Sequence, residues 1–102
     1  MVSTQTIDTV IKLAEDNPAS LNPYLENLSF NDLLDLEALM YIGRGDANEA
    51  QNETKEKTFA DMRWHVRNLV RNEKDKWQIE EQISGKIHLA QYLKKGKSFL
   101  YL

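Results

Sequence analysis

The ten residues from Leu33 to Ile42, LLDLEALMYI, constrain this chain more than any other stretch. Wound as a helix, they put Leu33, Leu36 and Met40 on one side and Leu34, Ala38 and Tyr41 on the other. A helix that is apolar nearly all round has to be covered on every side. The spacing therefore predicts a central helix with the rest of the chain wrapped around it.

The flanking segments carry the same 3.6-residue period, and strand-like alternation is nowhere sustained. Ile7, Val10, Ile11 and Ala14 share one helical face. Ser3 or Thr4 is placed to cap that helix, and Pro18 forces Asn17 out of the α region and ends it. Asn22-Pro23 suggests a short turn of helix held down by Leu25 and Leu28, and Ser29-Phe30-Asn31-Asp32 resembles a capping box ahead of the central helix. The longest helix is expected at about 47–72. Its first half, Glu49 to Lys57, is almost entirely polar, and its second half carries Phe59, Met62, Val66, Leu69 and Val70. A further helix is expected from Asp75, with Gln78 as its box partner, to Gly85, and a last one from Lys86 to Gly96. Phe99 to Leu102 form an apolar tail expected to dock on the core. With 102 residues and no repeat or linker, the pattern predicts an all-α fold over 1–102. It is a single small domain of about five helices packed as an irregular orthogonal bundle.

Composition removes several function classes. The chain has no cysteine, which excludes disulfides and thiolate metal sites. The residues after Met1 show no basic or apolar leader pattern, and the longest apolar patch, Leu39 to Ile42, is far short of a membrane span. A cytoplasmic protein without membrane contact is expected. The net charge of −3 is unevenly spread: residues 1–51 hold two basic and nine acidic side chains, residues 52–102 eleven basic and seven acidic. Two halves of one fold attracting each other is the preferred meaning, ahead of a nucleic-acid surface.

Two groups stand out as sites. Gly43-Arg44-Gly45-Asp46 could be a phosphate cradle, an adhesion tripeptide or a joint between helices. A cradle normally joins a strand to a helix, and the tripeptide needs an extracellular loop, so the joint is preferred. A glycine takes the left-handed conformation past the helix end, and Asp46 caps the next helix by accepting from Asn48 or Glu49. Arg44 has no role in such a joint, beyond bridging to Asp46 or another acid. The second group is Trp64, Arg67 and Arg71, on one helical stripe turned away from the apolar face, with Lys74 and Lys76 just beyond. A tryptophan beside arginines can stack a base or grip phosphates. The preferred expectation covers Trp64 with another helix and pairs the arginines with the acidic half. His65 and His88 have no ligand spacing, no serine sits in a nucleophile elbow, and Asp32, Asp35 and Glu37 read as a solvated helix edge. No catalytic set, metal or cofactor is expected.

The segment LMYIGRGD, followed by a long helix and then by ISGKIHLAQYLKKGKSFL, resembles the bacterial family known as domain of unknown function 3775. The matching positions are Ile42 to Asp46, then Ile83, Gly85, Leu89, Tyr92, Leu93 and Gly96, within a stretch of about residues 29–100. The resemblance implies an all-helical bacterial domain and no particular activity. The function expected from the residues is a non-catalytic protein-interaction module, self-associating or binding another protein through the apolar tail or the Trp64 side. The alternative is weak nucleic-acid binding by Arg63, Arg67, Arg71, Lys74 and Lys76.

Overall fold

The computed structural model describes residues 1–47 and 54–101. They form an all-α domain: α1 (Thr4–Asp16), a 3-10 turn (Pro18–Ser20), α2 (Leu21–Glu26), α3 (Phe30–Arg44), α4 (Lys55–Leu69), a second 3-10 turn (Glu73–Asp75), α5 (Lys76–Ser84) and α6 (Leu89–Tyr101). The described residues hold no strand, and no helix among them is long and apolar enough to cross a membrane.

α3 is the hub. Every residue from Leu33 to Met40 is buried, and α4, α5 and α6 all pack against it. α1 lies on α6, and α2 on α5. Side-chain caps start the helices where the sequence places them. Ser3 accepts from the Thr6 N–H, Ser29 from that of Asp32, and Thr54 from that of Lys57, the first two predicted from the sequence. Asp75 stands just before α5 as expected, but its side chain makes no capping bond.

Four expectations change. The long helix expected at about 47–72 is shorter: Thr54 is extended and caps a helix that starts at Lys55 and ends at Leu69. Among the described residues six α-helices replace about five, because α2 is a helix in its own right. α6 does not stop at Gly96 but runs on to Tyr101, taking Phe99 and Leu100 with it onto the core. The reason lies at the α3–α6 crossing. A Cβ on Gly43 would overlap the Tyr92 carbonyl and stand 2.9 Å from the Gly96 nitrogen, and a Cβ on Gly96 would fall on the Leu39 carbonyl. Both glycines let two backbones approach more closely than side chains allow. Gly96 is a packing residue inside a helix, where sequence pattern reads it as a stop.

The fourth change concerns charge. Asp35 and Glu37 are buried, 4% and 1% exposed, not a solvated edge. Asp35 accepts from Arg63 Nε at 2.6 Å and from the Val2 N–H at 2.8 Å, and Arg63 also reaches Asn31 at 3.0 Å. The acid thus ties α4 and the N-terminal segment to α3. Glu80, also buried, pairs with Lys76, whose ammonium donates to the Glu26 carbonyl at 2.9 Å. Surface pairs Lys94–Glu15 and Lys97–Asp8 join basic α6 to acidic α1, so the two unlike-charged halves do attract each other.

Candidate functional site

The Gly43–Asp46 segment is a helix ending. Gly45 takes φ 96° and donates to the Ile42 carbonyl at 3.0 Å, while the Asp46 N–H donates to that of Tyr41 at 3.0 Å. This pair of bonds satisfies the last free carbonyls of α3. Gly43, by contrast, belongs to the helix and to the α6 contact. Arg44 now has a partner: its Nε and terminal nitrogen donate to Asp46 Oδ2 at 3.0 and 2.5 Å, and its guanidinium lies 4.8 Å from the centre of the Tyr41 ring. The expected capping of Asn48 or Glu49 by Asp46 lies outside the described residues.

Beneath Tyr41 sits Glu37. It accepts from the Tyr41 hydroxyl at 3.2 Å and from the Gln82 amide of α5, which reaches Oε2 at 3.2 Å with its nitrogen turned toward the carboxylate on hydrogen-bond grounds. Burial lifts the Glu37 carboxyl from the ordinary range to about 7, against the opposing pull of the Tyr41 hydrogen bond and the charge of Lys86. Burial, and then the neighbouring Glu37 charge, pushes the Tyr41 hydroxyl up to about 12.

The Trp64 group departs from expectation. Trp64 is 64% exposed, and Leu69, counted on the core face by its spacing, is 70% exposed. In α4, Phe59, Met62 and Val66 fill the contact with the core, and of the two residues expected to extend it, Leu69 and Val70, only Val70, just beyond the helix, is buried. His65 meets Trp64 edge-on, with ring centres 5.4 Å apart. The arginines do not reach into the acidic half as a group. Arg67 folds over the Phe30 ring, 5.2 Å from its centre, and donates to the carbonyls of Val70 and Arg71, closing the helix end. Arg71 and Lys74 are exposed. Phe30 and Lys74, together with Leu28, Asn31 and Lys76, border an open depression of about 470 Å³ beside this strip. Trp64 and Arg67 are thus exposed on one side of the C-terminal half of α4, with Arg71 and Lys74 in the turn that follows, while Leu69, two residues beyond Arg67, stands about 200° from it around the helix.

Neither histidine joins a constellation. His65 is exposed against Trp64, and His88 lies 6.1 Å from the Tyr92 ring centre in the α5–α6 connection. Among the described residues, no three His, Asp or Glu side chains gather as a metal ion requires. Sequence reasoning missed Leu69 as a surface residue and Glu37 as a buried titrating one. For Glu37 a signal was present: it sits in the middle of a helix that has to be covered on all sides.

No protein-family model matches the chain, and no curated protein or solved structure matches it either.

Proposed function

We propose that the chain is a non-catalytic protein-interaction module of the cytoplasm, whose contact surface is the C-terminal half of α4 with the turn after it. The observation that carries this reading is Trp64, 64% exposed on α4 beside basic side chains; Trp77 and Ile87 are exposed as well, on α5 and in the connection after it. Tryptophan and arginine are the side chains that most often anchor protein interfaces. Between Arg63 and Lys74 the chain holds four basic residues and one acidic residue, Glu73. A partner segment that offers an apolar side chain beside carboxylates fits this surface by shape and by charge. The bacterial family of domain 3775 remains our proposed affiliation, supported by the Gly43–Asp46 junction and the Ile83–Gly96 pattern.

Self-association is the less favoured form of this reading. The C-terminal residues Phe99 and Leu100 pack on the chain's own core, and the Tyr101 hydroxyl donates to the Val2 carbonyl at 3.1 Å. Nucleic-acid binding is also less favoured. Of its five candidate cations, Arg63 is held by Asp35, Arg67 by backbone carbonyls, and Lys76 by Glu80 and Glu26. Arg71 and Lys74 remain for phosphates, too few for strong counterion-driven binding.

The test is selection of ligands from a random displayed-peptide library, followed by affinity measurement against wild type and Trp64→Ala. Acidic-apolar peptides that lose at least about tenfold in affinity with the variant support the proposal. Peptides that bind Trp64→Ala as well as wild type refute it. Salt-sensitive retention on single-stranded RNA, lost in Trp64→Ala, transfers the surface to nucleic acid.

A further inference from the structure

Three acids are buried among the described residues, and they are held differently. Asp35 has Arg63 and Glu80 has Lys76, each within ion-pair distance. Glu37, the most deeply buried of the three, has only neutral donors in contact: the Tyr41 hydroxyl from its own helix and the Gln82 amide from α5. A cation whose charge acts on it, Lys86, belongs to the α5–α6 connection and has its ammonium 6.0 Å from the centre of the Tyr41 ring. The other charged groups around α3 are occupied. Arg63 of α4 serves Asp35, which stands about 200° away around the helix. Arg44 is paired with Asp46, and on the α6 side His88 and Tyr92 pack on each other.

We propose that Glu37 makes the seating of α5 on α3 responsive to proton concentration: the neutral carboxyl holds the contact closed, and ionisation favours opening of α5 with the Gly85–His88 connection. A buried carboxylate that faces only neutral donors gains much by reaching water. α5 is the element able to yield. It has nine residues, lacks a side-chain cap at its start, and adjoins Gly85 at its end. Opening exposes the Gln82 side of the contact and lets Lys86 approach the freed carboxylate. Burial lifts the half-ionisation point of Glu37 to about 7, which puts the response where small changes of pH act.

The experiment is a carbon-13 titration of the Glu37 carboxyl in the full chain, with amide hydrogen exchange read helix by helix over the same pH range. Corrected for intrinsic exchange, α5 opening is expected to rise about thirtyfold between roughly pH 5.5 and 8.5, with the midpoint of the Glu37 carbon. In Glu37→Gln the rise is absent. A Glu37 midpoint in the ordinary carboxylate range overturns the proposal, and so does α5 opening that ignores pH. α5 amides that open no more often than α1 amides at about pH 8.5 also overturn it, because both then report unfolding of the whole domain. If Glu37→Gln does not fold, the two wild-type measurements decide by themselves.

Discussion

Gly43 of α3 and Gly96 of α6 face each other across the helix crossing, so closely that a methyl group on Gly43 would stand 2.9 Å from the Gly96 nitrogen. The hub helix meets α6 backbone to backbone at this point, and no side chain can be added without pushing the helices apart. Gly43→Ala and Gly96→Ala are each expected to lower stability by about 2–3 kcal/mol in urea denaturation. Gly45, with open space around its Cβ position but φ 96°, should lose only about 1 kcal/mol as alanine. Equal losses at all three positions would mean that the crossing is not tightly packed.

Arg63→Met tests the tie between α4 and α3. It leaves the buried Asp35 carboxylate with the Val2 N–H and without its cation. A loss on the order of 2–3 kcal/mol is expected, and Asp35→Asn in the same background should restore part of it. A loss below about 0.5 kcal/mol would reduce the contact to an ordinary surface ion pair.

Asp46→Ala is expected to be mild. Its pairing with Arg44 lies at the surface, with both side chains more than a third exposed, so the change should stay below about 1 kcal/mol. Thermal unfolding of the variant measures it directly. A larger loss would point to capping of the residues that follow.

Global stability should fall as pH rises between about 4.5 and 7. Glu37 is raised in the folded state from 4.5 to about 7, so in that window the folded chain holds a proton that the unfolded chain has released. Stability contributed by the neutral acid is complete below 4.5 and lost above about 7. The size is about 3 kcal/mol, and Glu37→Gln should be the more stable protein at pH 8 by a similar amount. Chemical denaturation at a series of pH values checks the sign and the midpoint together.

Much of this fold was legible because local pattern and tertiary demand agree. The all-round apolar run had to become the covered hub, and Ser3 and Ser29 cap helices wherever those helices pack. What escaped was decided by partners far away in sequence. Asp35 and Glu37 look like a solvated edge until Arg63 and Gln82 arrive from α4 and α5. Gly96 reads as a stop because the same missing Cβ serves a helix end and a close helix crossing. Leu69 and Val70 were both expected on the core face, but the chain leaves the helix at Val70 and only Val70 enters the core. Of the candidate site, helical spacing placed Trp64 and Arg67 on the side of α4 turned from its apolar face, while the exposure of Trp64 was a question of what packs where.

The interaction surface is tested most directly by letting Trp64 report on it alone. In a Trp77→Phe protein, where Trp64 is the single remaining tryptophan, addition of selected acidic-apolar peptides should shift its emission to the blue and shield it from iodide. Emission and quenching that stay unchanged while peptide binds would contradict the assignment of this face as the contact surface.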